Sequence, residues 1–464
     1  MCCVLDGLAL LAPFQQLVSV ASPGGFTASL TDYDYFGSAL TNVGDINADG
    51  VVDLAAGGTG SGSAVIGCVF VMFLRSDGTV LSHQQLTDGI GGFTGELTAS
   101  DDFGCAVGPV GDVDGDIVSD LIVGASGHTG ASGEEGAVYV IFLLSSGRAW
   151  SHQALSTSAG GFTGALAAGD RFGISCGSAG DVNQDGVGDA VVGADSSSAG
   201  GVVYVILLNA DGTAASHQKL SSSQGALTAV FGDSDYFGRS SAAWSASSSA
   251  LVIGAPGHAN NTGAVYITFL QASGVVSSHQ KITLSQGGLT ATLVTDANFG
   301  LSVSVLTDMN HDGVDDMAVG AFDTTGSGYG AVFLLFLATD GSCILHRKIA
   351  ESTNRFTGDV ALTSFGIGVA GLGDLNSDGK ADLAVGASAA TYIFFTDQDW
   401  CVPTHVANSN HKSDFALQGV VGQYVDVVCD VGYEGDAIIM CQEDLLFEDM
   451  TCPGSLSFFI FFLF

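Results

Sequence analysis

Five stretches of this chain carry oxygen-bearing side chains at one fixed spacing. The first is Asp45, Asn47, Asp49, Gly50 and Asp53. The others are Asp112, Asp114, Asp116 and Asp120; Asp181, Asn183, Asp185 and Asp189; Asp308, Asn310, Asp312 and Asp316; and Asp374, Asn376, Asp378 and Asp382. Side chains at positions 1, 3 and 5 of such a nine-residue loop converge when the backbone curls around a point. The carbonyl of position 7 (Val51, Val118, Val187, Val314 or Lys380) is expected to point inward, and the aspartate at position 9 closes the shell. Glycine at position 6 allows the sharp turn in four loops, and Ile117 replaces it in the second. Hard oxygen donors in this number suit calcium better than zinc, which prefers His or Cys, or magnesium, which keeps more water. About five calcium sites are therefore expected. Asp-Gly hairpins would explain one such loop, but they require no carboxylate at position 9.

Bulk composition agrees with this reading. The 464 residues include 48 Asp and Glu against 11 Lys and Arg, a formal net charge of −37. That much carboxylate either confers solubility or is partly neutralised by bound cations. No basic stripe exists, so nucleic acid and anionic membrane surfaces are excluded as partners. With 47% hydrophobic residues the chain forms a core, and 67 glycines against 6 prolines favour many tight turns over long helices.

The elements that must position these loops repeat. A Phe-Gly pair recurs at Phe36, Phe103, Phe172, Phe237, Phe299 and Phe365, at intervals of 62 to 69 residues. Each pair is followed by an apolar run ending in Gly-Ala or a close variant, such as Asp120 to Ala125 or Ala250 to Ala255. A second apolar run follows, then a Ser-His-Gln segment beginning at Ser82, Ser151, Ser216 and Ser278, with a variant at Leu345. Each unit thus offers about four short strands. One four-stranded sheet cannot bury both faces alone, and radial stacking around an axis solves this. Repeat four keeps the strand Leu251 to Ala255 but has only Ala242 to Ala250, without a carboxylate, where the loop should be.

Phe-Gly, an aspartate-rich loop and Gly-Ala in this order resemble the FG-GAP repeat of integrin α-subunit propellers and related secreted proteins. The resemblance implies an all-β fold, a β-propeller over residues 14–397 that serves as a calcium-binding recognition or adhesion platform. It also implies an extracellular or cell-surface location and a protein or glycan ligand at the cell surface or matrix. Family propellers usually have seven blades and six are countable here. Residues 1–13, including Val4 to Gly7, therefore read as the remnant of a lost blade or a poor signal segment, with six-bladed closure as the alternative. The apolar tail 454–464 is too short to span a bilayer, so membrane association would need an anchor missing from this sequence.

Between these regions, residues 398–453 hold Cys401, Cys429, Cys441 and Cys452. Four cysteines in so short a stretch read as a disulfide framework in an oxidising compartment. The spacing is similar to a complement-control (sushi) module, a resemblance that implies bridges Cys401–Cys441 and Cys429–Cys452, although Phe447 stands where the family's tryptophan is expected. A generic four-cysteine module is the alternative.

Catalysis finds little support. His83, His152, His217, His279 and His346 fall one per blade, which favours a structural role. Cys105 and Cys176 read as buried thiols, and no nucleophile-elbow, zinc-protease or phosphate-loop motif occurs. No enzymatic activity is expected. The alternatives to a recognition protein are a non-catalytic accessory propeller of a secreted hydrolase and a structural surface protein rigidified by calcium.

Overall fold

The computed structural model describes residues 11–18, 25–28, 35–59, 66–130, 133–197, 200–229, 231–244, 250–322, 330–350, 364–387, 390–396, 424–428 and 436–440. Six four-stranded antiparallel sheets form a six-bladed β-propeller. In the first blade the strands run Ala39–Gly44, Asp53–Gly58, Cys68–Leu74 and Val80–Leu86, in chain order from axis to rim. Blades two to five repeat this plan, their innermost strands being Phe103–Gly111, Ser175–Gly180, Ser240–Ala243 and Ser302–Val305.

The sixth blade closes the ring with strands from both ends of the chain. Val369–Gly373, Asp382–Ala387 and Ala390–Thr396 supply three strands, and Leu11–Val18 pairs antiparallel with Ala390–Thr396 as the fourth. The expected domain start at residue 14 therefore falls inside a strand that begins at Leu11. This strand occupies the place of the Ser-His-Gln strands elsewhere. Asn42 of blade one donates to the Gly371 carbonyl of blade six at 3.3 Å, joining first and last inner strands.

The second and third strands are buried on both faces, which explains their continuous apolar sequences. Six hydrophobic clusters lie between neighbouring sheets, each drawing on two adjacent blades. The Phe-Gly phenylalanines Phe36, Phe103, Phe172, Phe237, Phe299 and Phe365 are all at most 1% exposed. Each such ring contributes roughly 1.5–3 kcal/mol. Phe26, Phe93, Phe162 and Phe231, from the connections leading into blades one to four, pack on the first four at 4.9, 5.0, 4.8 and 4.2 Å.

The glycines of both motifs meet at every blade junction. A Cβ on Gly57, Gly124, Gly193, Gly254, Gly320 or Gly386 would stand 1.9 to 2.1 Å from the carbonyl oxygen of the next blade's Phe-Gly glycine. That glycine is left-handed in all six repeats, with φ between 87° and 93°. Serines reinforce three junctions: Ser175, Ser240 and Ser302 donate to Gly238, Gly300 and Gly366 carbonyls at 2.8, 2.9 and 2.7 Å.

Beyond the propeller, Tyr424–Val428 and Asp436–Met440 pair as a two-stranded antiparallel sheet. Cys401, Cys429, Cys441 and Cys452, and hence the expected sushi-like bridges, lie outside the described residues. No helix among the described residues is long and apolar enough to cross a membrane.

Candidate metal centre

Each loop begins where the inner strand ends and stops where the second strand starts, so all five lie at the same end of the propeller. Two consecutive turns shape the chain. Position 4 is left-handed in every loop, at Ala48, Gly115, Gln184, His311 and Ser377, and so is position 6. This brings the N–H groups of positions 5 and 6 onto the carboxylate of position 1. Asp49 and Gly50 donate to Asp45 Oδ1 and Oδ2 at 3.0 and 2.8 Å. The same pair of bonds recurs at Asp181, Asp308 and Asp374, and at Asp112 in the second loop.

Position 7 donates its N–H to the position-5 carboxylate. Val51, Val118, Val187, Val314 and Lys380 do so at 2.9, 2.8, 2.9, 2.9 and 3.0 Å. Position 3 is an asparagine in four loops. Asn47, Asn183, Asn310 and Asn376 each donate from Nδ2 to Oδ2 of the position-5 aspartate at 2.8 to 2.9 Å.

Position 9 does more than close a shell. Asp53, Asp120, Asp189, Asp316 and Asp382 are at most 1% exposed. One oxygen accepts the N–H of loop position 2, from Ile46, Val113, Val182, Met309 or Leu375. The other accepts an N–H at the end of the third strand, from Leu74, Leu143, Leu208, Leu337 or Thr396. Burial raises these carboxyls to about 7, 7, 6, 8 and 7 in chain order, against the lowering effect of those bonds. A buried carboxylate is costly without a countercharge, and a cation at the loop would supply one.

The second loop gathers its charge most tightly. Carboxylate oxygens of Asp112, Asp114 and Asp116 lie within 4.8 Å of one another. Asp114 has no amide to offer Asp116. Its own carboxyl is raised, first by partial burial and then by the charges of Asp116 and Asp112. The donor set, hard and anionic, fits a calcium-sized ion. Asp120 is not among the three converging groups.

Ile117 adopts the glycine conformation at position 6, with φ 78°, and is 92% exposed. A β-branched residue there is strained by about 1 kcal/mol. Replacing Ile117 by Gly is expected to raise stability in metal-free buffer by about 1 kcal/mol. Urea unfolding of the two proteins measures it, and a lower midpoint for Ile117→Gly would contradict the strain.

Blade four has no carboxylate in the corresponding stretch of sequence, Ala242 to Ala250. Its inner strand ends at Ala243, and the next residue, Trp244, donates its N–H to the Ala250 carbonyl at 2.8 Å. The indole is buried at 4% exposure, and Nε1 donates to the Asp315 carbonyl of blade five at 2.9 Å. The indole thus ties blade four to the metal loop of blade five through a backbone carbonyl.

The five histidines lie in the outer strands and pack on aromatic rings. His83, His152 and His217 stand 4.9, 4.7 and 5.0 Å from Phe26, Phe93 and Phe162. Burial lowers the pKa of all five. Cys105 and Cys176 form no disulfide; their thiols reach the Gly173 and Ile122 carbonyls, each at 3.3 Å.

Residues 365–399 match the FG-GAP repeat. They carry the Phe365-Gly366 pair, the fifth loop and the Gly386-Ala387 strand end. Integrin alpha-PS5 of Drosophila melanogaster is 31% identical over 167 residues, covering 34% of this chain and 16% of that protein. Integrin alpha-3 of Cricetulus griseus is 31% identical over 140 residues, covering 30% and 12%. Human integrin alpha-7 is 36% identical over 101 residues, covering 22% and 8%. The aligned parts thus span well under two thirds of each relative. The propeller is thus similar in sequence to parts of integrin alpha chains.

Proposed function

We propose that this chain is a non-catalytic, calcium-binding recognition protein at the cell surface or in the extracellular space. The observation that carries the reading is the repetition of one loop geometry five times at one end of a closed ring. Its ligand would be a protein or glycan of the cell surface or matrix, met by the opposite end, where the loops between the second and third strands of the blades vary in sequence. The calcium shell in each loop would comprise positions 1, 3 and 5 with the carbonyl of position 7, and position 9 would supply buried negative charge behind it. Calcium would supply no chemistry beyond charge neutralisation and rigidity. Residues 398–453 would form a second, disulfide-bonded module.

Equilibrium dialysis with radioactive calcium tests the metal assignment, with about five ions bound per chain expected. A stoichiometry near zero at millimolar calcium would remove the assignment. Retention of matrix and cell-surface proteins on the immobilised chain, in calcium and in chelator, tests the recognition role. Failure to retain any partner in either condition would favour a purely structural surface protein.

A further inference from the structure

Blade four holds a side-chain constellation that the metal loops and the proposed recognition role do not use. His258 Nδ1 lies 2.9 Å from Asp235 Oδ2, and Lys281 Nζ lies 2.6 Å from His258 Nε2. The three come from separate elements: the connection before Phe237, the loop after the second strand, and the outer strand Val276–Thr283. They meet at the end of the propeller remote from the metal loops. Lys281 also stands 5.6 Å from the ring centroid of buried Tyr266.

Neighbouring blades serve as partial copies. The outer-strand residues Ala154, Lys219 and Lys281 all pair across from a tyrosine, Tyr139, Tyr204 and Tyr266. Blade two keeps the carboxylate and imidazole, Asp101 and His128 at 3.4 Å, but has Ala154 in place of the lysine. Blade three keeps Asp170 and Lys219, the latter 5.6 Å over Tyr204, but has Ser197 in place of the histidine. Of these three blades, blade four alone combines all the parts.

The loop that presents His258 is held in an uncommon conformation. Ala259, Asn260 and Asn261 are consecutive left-handed residues, with φ of 53°, 60° and 60°. Side chains favour this region poorly, and such strain persists where surrounding contacts impose it. Here the Asn261 side chain bonds Asp296 at 2.9 Å and its carbonyl accepts the Asn298 N–H at 2.7 Å.

Nucleophile, proton acceptor and orienting carboxylate in a row are the arrangement that activates an amine. We propose that Lys281 is a nucleophilic amine that captures aldehydes as an imine, with His258 taking its proton and Asp235 positioning the imidazole. Burial lowers the Lys281 pKa against the opposing pull of Asp235, which eases loss of that proton. The Lys281 ammonium passes a proton to His258 Nε2, and Asp235 holds the resulting imidazolium. The freed amine attacks the carbonyl carbon, forming C–N as the C=O π pair moves to oxygen. A proton moves from nitrogen to that oxygen, giving a neutral carbinolamine. His258 then protonates the hydroxyl, and water leaves as the nitrogen pair forms C=N. One ammonium and one aldehyde give one iminium and one water, and no redox partner is needed. The chain's net charge of −37 favours an uncharged aldehyde over an anionic one.

Benzaldehyde with cyanoborohydride, followed by peptide mapping of the whole chain, tests this directly. Lys281 is expected to become benzylated at least about tenfold faster than Lys219, the same strand position without a histidine. His258→Gln and Asp235→Asn should bring the ratio toward one while the melting temperature of the propeller is followed in parallel. Equal labelling of Lys281 and Lys219 in the unaltered protein would overturn the proposal without recourse to any variant. A ratio unchanged by a folded His258→Gln protein would overturn it too, leaving the three side chains as a purely structural tie.

Discussion

Gly254→Ala is expected to destabilise the propeller by about 3 kcal/mol, whereas Gly177→Ala should change stability by less than about 0.5 kcal/mol. Both residues sit in blade strands, and neither has the left-handed backbone that would penalise any side chain. They differ in what a methyl group meets. At Gly254 it would lie 2.0 Å from the Gly300 carbonyl oxygen and 2.2 Å from Ser240 Oγ. The carbonyl is backbone, fixed by its own blade, since the Gly300 N–H bonds Gly320 at 3.1 Å. Relief would require blades four and five to separate, opening the apolar cluster between them and breaking the Ser240 bond. At Gly177 the nearest atom is the Ser241 carbonyl at 3.9 Å, ordinary contact. Urea unfolding monitored by circular dichroism compares the two. Similar midpoints would mean that the junction gives way easily and that the glycine is not required for close approach.

This junction gives the two motifs of the repeat, Phe-Gly and Gly-Ala, one physical meaning. The Phe-Gly glycine must be left-handed, and its carbonyl then abuts the Gly-Ala glycine of the preceding blade. The recurrence of both at fixed offsets was legible in the sequence, and so were the propeller and the loop positions. The route of closure was harder to see. Leu11–Val18 pairs with Ala390–Thr396 across nearly the whole described propeller, and local patterns carry no information on such a distant partner. A signal was nonetheless present, because Gln15-Gln16-Leu17 repeats Gln84-Gln85-Leu86 of a known outer strand. The aromatic rings packed on Phe-Gly were also announced by a repeat, the Gly-Gly-Phe-Thr of Gly91 to Thr94 and Gly160 to Thr163.

Position 9 shows the limit of spacing arguments. Spacing places a carboxylate at the loop's end but does not reveal that it is buried or that the third strand donates to it. That role depends on strand pairing, as with Leu74 N–H reaching Asp53 across 21 residues. Likewise Ile117 reads as a defect when glycine is taken as essential. The backbone adopts the same turn with isoleucine, and the second loop brings together three carboxylates. The Asp235, His258 and Lys281 arrangement was unreadable for a similar reason, since its members are 23 residues apart at each step and meet only through the blade.

Chelation of calcium is expected to lower the melting temperature by about 10 °C or more, and magnesium should restore little of it. An ion at one hundred times its dissociation constant stabilises the folded state by about 2.7 kcal/mol per site, and five loops lie in one ring. Magnesium demands a tighter octahedron and gives up water reluctantly, which a loop with several carboxylates and a carbonyl does not match. Two variants separate the ion's share from that of the loop's own hydrogen bonds. Asp114→Asn removes one converging charge on the exposed side. It should lower the melting temperature in calcium but not in chelator, where it relieves repulsion from Asp112 and Asp116. Asp120→Ala should be destabilising in both buffers, because the Val113 and Leu143 N–H groups then lose a buried acceptor, at about 1–3 kcal/mol each. Melting curves that coincide with and without chelator, for the unaltered chain, would leave the loops as hydrogen-bonded turns. The buried position-9 aspartates would then be structural ties alone, and the Asp114→Asn difference between buffers should vanish with the ion.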